Sequence, residues 1–153
     1  MSKIRAVIAG YGNVGRGVRQ ALARTADMEL VGIVSRSPER VIKEVGDAVP
    51  VMPIADTEAW IKAFNPDVAI LCGGSKQDLP KQGPELVKAV CTVDSFDNHS
   101  QMPEHFHAMD AAAKAAGKVA VIATGWDPGI FSLERVLANA FLGVRAYGFY
   151  GMS

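Results

Sequence analysis

The chain has 153 residues, 16 basic and 16 acidic, and no net charge with histidine neutral. That length supports one domain with a full hydrophobic core and is short for two. The charge balance leaves no electrostatic footprint for nucleic acid or an anionic membrane surface, and the first apolar run is broken by Gly10 and Gly12, which excludes a signal peptide or a spanning helix there.

Ile4 to Ala9 reads as a short buried strand that ends in Gly10-Tyr11-Gly12-Asn13-Val14-Gly15. An amphipathic helical pattern follows at once, with Val14, Val18 and Leu22 inward and Arg16, Arg19 and Arg24 outward as far as Thr25. In this strand–turn–helix setting the spacing Gly-x-Gly-x-x-Gly has a physical meaning. Gly10 permits the sharp turn, and Gly12 has no side chain to hold a pyrophosphate off the backbone. Gly15 lets the helix pack close, so that its N-terminal N–H groups face the phosphates. A dinucleotide is the expected ligand.

Glu29 to Val34 is the second strand, which completes a βαβ unit of about thirty residues. An NAD-preferring site places Asp or Glu at the end of this strand to accept from the ribose hydroxyls. Ser35-Arg36-Ser37 stands there instead. A guanidinium flanked by hydroxyls suits a 2′-phosphate, so NADP is expected over NAD; the alternative is a solvated loop cation.

Further along, Pro38 to Val45 reads as a short helix and Val49 to Ile54 as a strand near an edge, given Pro50 and Pro53. Asp56 or Thr57 caps a helix carrying Trp60, Ile61 and Phe64. Val68 to Leu71 is a buried strand running into Cys72-Gly73-Gly74-Ser75, a loop placed across the crevice from the first glycine turn. It suits the nicotinamide half of the ligand, although a plain tight turn accounts for it almost as well. Lys76 to Gln82 leads into a helix from about Pro84 to Val90.

Cys91 to Val93 is a strand that delivers Asp94-Ser95-Phe96-Asp97-Asn98-His99, two carboxylates, an amide and an imidazole at a strand's carboxyl end. Ser100 caps a helix from Met102 or Pro103, with Phe106, Met109 and Ala113 inward and Gly117 as its stop. His105 and His107 point in different directions and make a poor metal pair. Val119 to Ala123 is a sixth strand, followed by Thr124-Gly125-Trp126-Asp127-Pro128-Gly129 and a helix from Ile130 to Leu142. Asp127 before Pro-Gly is an ordinary turn former, but it falls beside a large aromatic at the same sheet end as Asp97. Cys72 and Cys91, without metal-ligand spacing around them, read as buried reduced thiols of a cytoplasmic protein; no metal site is expected.

The order βαβαβ–βαβαβ defines an α/β class, a Rossmann-type doubly wound parallel sheet with strand order 3-2-1-4-5-6 and its crevice between strands 1 and 4. Residues 1–143 form this domain, Gly143 ends the last helix, and Arg145 to Tyr150 starts an extended segment.

Val7-Ile8-Ala9-Gly10-Tyr11-Gly12-Asn13-Val14-Gly15-Arg16, Asp27 to Gly32 and Ser35-Arg36 resemble the N-terminal half of meso-diaminopimelate dehydrogenases. So do Leu71 to Ser75, Asp78-Leu79-Pro80, Thr92 to His99 and Thr124 to Ser132, the third and fourth of these being far more specific than the glycine triad. The resemblance implies an NADP-dependent enzyme that oxidatively deaminates the D-centre of meso-2,6-diaminopimelate to L-2-amino-6-oxopimelate and ammonia, reversibly. It implies that Asp97 and Asp127 hold the reacting α-ammonium, that Trp126 shapes the pocket, and that Gly12, Asn13 and Val14 meet the pyrophosphate. Ser35, Arg36 and Ser37 would take the 2′-phosphate, and Cys72, Gly73, Gly74 and Ser75 would line the nicotinamide side. Asp94 is either a further substrate ligand or a structural acceptor for backbone N–H groups in its loop, and which carboxylate acts as base is open. Chains of that family are longer, with a further domain for dimer contacts and substrate grip. This chain is then its cofactor part, active as a homo-oligomer or else a binding module without catalysis.

Overall fold

The computed structural model describes residues 2–142. The elements run β1 (Ile4–Ala9), α1 (Asn13–Leu22), β2 (Met28–Ser35), α2 (Pro38–Val45), β3 (Val51–Pro53), α3 (Thr57–Phe64), β4 (Val68–Leu71), α4 (Leu79–Leu86), β5 (Cys91–Asp94), α5 (Met102–Ala116), β6 (Ala120–Val121) and α6 (Ile130–Leu142). The six strands form one sheet in the order β3-β2-β1-β4-β5-β6, and every neighbouring pair is parallel. This is the expected doubly wound topology. The expected stop at Gly143 and the segment from Arg145 to Tyr150 lie outside the described residues.

Side chains alternate across β1, and each face has its own core. Val7 and Ala9 pack with Val34, Trp60, Phe64, Leu71, Leu79 and Phe96. Ala6 and Ile8 pack on the other face with Leu22, Ile33, Val41 and Val45. Helices α3 and α4 therefore cover one side, and α1 and α2 the other. Fully buried residues such as Ile8, Ile33 and Leu71 each contribute about 1.5–3 kcal/mol relative to exposure. β1 lies at the centre, between β2 and β4, so its carboxyl end opens at the point where the strand order reverses.

Several local expectations are corrected. The helix after β4 begins at Leu79 rather than near Pro84. Pro80 sits in its first turn, where a missing N–H costs nothing, and the Gly74 carbonyl accepts from Asp78 (2.8 Å) and Leu79 (3.1 Å) to nucleate it. Pro84 is carried inside that helix at the loss of one backbone bond. Strands β3 and β6 are shorter than expected. Ser100 lies in a 3-10 turn, His99–Gln101, and its hydroxyl donates to Asn98 Oδ1 (2.9 Å) instead of capping α5. On α5 the buried stripe is His105, Met109 and Ala113, while Phe106 is 52% exposed. An imidazole displaces a phenyl ring from the core because a buried carboxylate waits to bond it. Val14, expected inward, is 49% exposed at the start of α1, and Arg16 and Arg19 reach Glu44 and the Tyr11 hydroxyl rather than open solvent. Cys91 is only partly buried, and both thiols are free.

Candidate functional site: a cofactor cleft beside two acidic loops

The turn from β1 to α1 is built around glycine. Gly10 has φ +99°, donates its N–H to the Val34 carbonyl (2.8 Å), and leaves room for a side chain only at 3.2–3.3 Å from the backbone of Cys72 and Gly73. At Gly15 a Cβ would collide with the Gly10 carbonyl oxygen, which fixes the close approach of α1 to β1. At Gly12, by contrast, a Cβ would meet nothing within 4 Å, because this residue faces the open cleft. Gly12 is also the N-cap of α1, with no side-chain cap and no acidic residue in the first turn. The first turn of α1, which begins with Asn13 and Val14, therefore offers its N–H groups with no acidic residue of its own to compete for an anion.

The cleft holds about 280 Å³. Ser35, Arg36 and Ser37 form one wall, Cys72, Gly73 and Gly74 the other, and Gly10, Tyr11 and Gly12 the floor. The Ser35 hydroxyl oxygen accepts from the Ser37 N–H (3.1 Å). Arg36 forks to Asp78 (Nη1–Oδ1 3.0 Å, Nη2–Oδ2 3.3 Å), and Asp78 Oδ2 also accepts from the Gly74 N–H (3.0 Å). A second cation, Arg40, lines the cleft and donates to the Tyr11 carbonyl (2.9 Å). Arg40 was not anticipated, although it stands four residues after Arg36 in the first turn of α2. Burial pushes the Cys72 thiol up to about 12, so Cys72 offers the cleft its backbone and not a thiolate. Ser75 faces the neighbouring loop instead, its hydroxyl oxygen accepting from the Asp97 N–H (3.2 Å).

Beyond β4 the next two strands carry the acidic loops, and Asp94 ties them together. Its buried carboxylate accepts through Oδ1 from the Phe96 N–H (3.0 Å) and the Ala123 N–H (3.0 Å), and Oδ2 lies 2.8 Å from His105 Nε2. Its carbonyl accepts from the Thr124 N–H (2.9 Å) and hydroxyl (2.7 Å). His105 stacks on Phe96 at 4.0 Å, and Ala123 is held at φ +58°. Of the two readings of Asp94, these contacts are the ones a structural acceptor makes.

Asp97 is exposed on the β5 loop. Asp127 follows β6, with Trp126 beside it, 68% exposed and tilted against Phe131. Asp127 is bound by Arg135 from α6 (Nη2–Oδ1 2.8 Å). The hydrogen bond from Arg135, with the charges of Arg135 and His99 behind it, holds the Asp127 carboxyl below its ordinary range against a smaller opposing desolvation. Arg135 was not anticipated, since eight residues and a turn separate it from its partner. The cofactor half and the acidic half therefore share the carboxyl edge of one sheet, linked through Ser75 and Asp97.

A parallel sheet in this order, with a glycine-turn cleft at its switch point, defines the Rossmann-type class of dinucleotide-binding folds. The comparison with known proteins narrows the class. Over 152 residues the chain is 47% identical to the meso-diaminopimelate D-dehydrogenase of Ureibacillus thermosphaericus, a match covering 99% of this chain and 46% of that protein. The solved diaminopimelate dehydrogenase of C. glutamicum, in complex with DAP, superposes with TM-score 0.81 at 45% identity over 92% of this chain and 42% of its own. An engineered D-amino acid dehydrogenase bound to NADP+ superposes equally well (TM-score 0.81, 45% identity, 91% and 41%). No family model matches the sequence. The chain is similar along nearly its whole length to these meso-diaminopimelate D-dehydrogenases, and it spans about half the length of the curated relatives it matches.

Proposed function

We propose that this chain is the NADP-binding part of a meso-diaminopimelate dehydrogenase, acting in the reversible oxidative deamination of the D-centre of meso-2,6-diaminopimelate to L-2-amino-6-oxopimelate and ammonia. The observation that carries this reading is the pairing, along one sheet edge, of an acid-free glycine turn flanked by Arg36 and Arg40 with the loops bearing Asp97 and Asp127. The residues fit NADP: the open face at Gly12 and the first turn of α1 accommodate the pyrophosphate, and Ser35, Arg36, Ser37 and Arg40 gather hydroxyls and cations for the 2′-phosphate. When bound, the nicotinamide accepts a hydride from the substrate Cα.

The protein's own share is orientation and proton handling. Asp97 and Asp127 clamp the α-ammonium and so select which Cα–H faces the ring. Their charges also stabilise the ammonium, so its proton must be taken before hydride leaves. Arg135 holds Asp127 as a persistent anion and a weak proton acceptor. Asp97, whose carboxylate has no hydrogen-bond or ion-pair partner among the described residues, is the better base. Trp126 supplies an apolar wall that limits water at the reacting carbon.

Calorimetric titration with NADP and NAD, followed by addition of meso-diaminopimelate with NADPH absorbance as readout, tests the reading. NADP binding with turnover that is lost in Asp127→Asn, at unchanged NADP affinity, is the expected result. Binding without turnover would favour a cofactor module whose chemistry needs a further domain, and binding of neither nucleotide would refute the proposal.

A further inference from the structure

The cofactor cleft holds a carboxylate directed at the cation expected to bind phosphate. Asp78 stands at the N-terminus of α4, on the wall opposite Arg36, and takes both guanidinium N–H groups in a parallel fork (3.0 and 3.3 Å). The two partners are not equally held. Asp78 is 19% exposed, anchored by the Gly74 N–H (3.0 Å), and packed so closely that a Cβ on Gly73 would lie 2.7 Å from its own. Arg36 is 71% exposed and has no other ion pair or hydrogen bond among the described residues. The carboxylate is the fixed member and the guanidinium the movable one.

We propose that Asp78 is a specificity-determining residue of the cleft, a resident anion that occupies the Arg36 fork until a 2′-phosphate takes it over. This inference rests on the reading of the cleft as an NADP site. The exchange is a competition for one fork. A phosphate dianion offers more charge and more acceptor oxygens than a carboxylate, and it also meets the hydroxyls of Ser35 and Ser37 and the nearby Arg40, all of which line the same cleft. The bond it displaces is a largely solvent-exposed ion pair, a weak class of interaction. Asp78 stays within a Debye length of the arriving dianion, so its charge opposes the phosphate after losing the guanidinium. It therefore moderates the preference for the phosphorylated cofactor and eases release, while an unphosphorylated nucleotide leaves the Arg36–Asp78 fork closed.

The test compares wild type with Asp78→Asn by calorimetry, using NADP, NAD, 2′,5′-ADP and 5′-AMP at low and moderate salt. Asparagine keeps an acceptor for the Gly74 N–H, and Asp78→Ser, with a shorter uncharged acceptor, serves as second variant; thermal melting checks that each is folded. The proposal expects NADP and 2′,5′-ADP to bind about three- to tenfold tighter to Asp78→Asn, the scale of one partly screened charge. NAD and 5′-AMP should change less than about twofold, and Arg36→Met should abolish the gain. Weaker NADP binding to the variant would mean that Asp78 holds Arg36 in position for the phosphate, and would overturn the proposal. An equal change for NADP and NAD would overturn it too, because the carboxylate would then act on the whole nucleotide. Failure of wild type to bind either nucleotide would refute the cofactor reading itself, whereas wild-type binding with an unchanged variant refutes only the role of Asp78.

Discussion

Replacing Asp94 with alanine removes the acceptor for two backbone N–H groups, at Phe96 and Ala123, and the partner of His105 Nε2. Two of these three bonds are buried and the third is partly so. A buried polar group left without its partner costs about 1–3 kcal/mol, so the two buried bonds put the loss in the alanine variant at about 2–6 kcal/mol, with the partly buried one adding less. That is a large share of the roughly 5–15 kcal/mol that stabilises a domain. Ala123 also loses the bond that holds its left-handed backbone, so the loop leading to Asp127 should loosen first. Asp94→Asn is the graded control. Its amide oxygen still serves Phe96 and Ala123, but its NH2 faces His105 Nε2, which must then become an acceptor. The imidazole proton moves to Nδ1, which is buried without a hydrogen-bond partner in the wild type as well; exchanging a charge-assisted bond for a neutral one, and an unpaired acceptor for an unpaired donor, predicts a loss of about 1–2 kcal/mol. Urea unfolding followed by far-UV circular dichroism and tryptophan fluorescence measures both variants, with Trp60 in the core and Trp126 exposed on the affected loop. An asparagine variant within about 0.5 kcal/mol of wild type, a typical neutral surface result, would refute the reasoning. So would an alanine variant no worse than asparagine.

Four further outcomes are expected. Arg135→Met removes the group that depresses the Asp127 carboxyl, so a carboxyl-resolved NMR titration should show Asp127 rising toward its ordinary value. By linkage a depressed carboxyl stabilises the fold above its unfolded value and loses that contribution as pH falls through the folded one; the wild type, but not Arg135→Met, should show this extra acid-side loss. Gly10→Ala should destabilise the fold by about 1–2 kcal/mol or more, from left-handed strain and backbone crowding. Gly12→Ala, whose Cβ enters open space, should remain folded in a thermal melt and lose NADP affinity by calorimetry. A thiol-alkylating reagent at pH 8 should leave Cys72 unmodified in the native protein, because burial raises its thiol to about 12, and should label it after unfolding, as peptide mass mapping would report.

The glycine turn, the strand order and the bounds of α6 were legible because each rests on local chemistry: φ freedom, short apolar runs, and an aspartate–proline–glycine turn before a long helical pattern. The start of α4 was not, because a proline looks like a breaker until a carbonyl, here that of Gly74, nucleates the turn ahead of it. Periodicity left His105 and Phe106 as near neighbours on α5. Asp94, eleven residues away, decides which one turns inward. Arg40, Asp78 and Arg135 escaped for the same reason. Arg40 and Asp78 act on residues of other segments, through contacts formed only once the strands lie side by side, and Arg135 acts across the turn that leads into its own helix.

Helix α6 presents Ile130, Leu133, Leu137 and Phe141 at spacings of three and four residues, and all of them face water, Phe141 to 83%. Apolar area in contact with water has a thermodynamic consequence independent of what eventually covers it. Any contact that hides this stripe proceeds with a negative change in heat capacity, and its attraction fades on cooling. Any such contact would therefore be tighter on the bench than on ice, and a binding enthalpy measured for it at one temperature would describe that temperature alone.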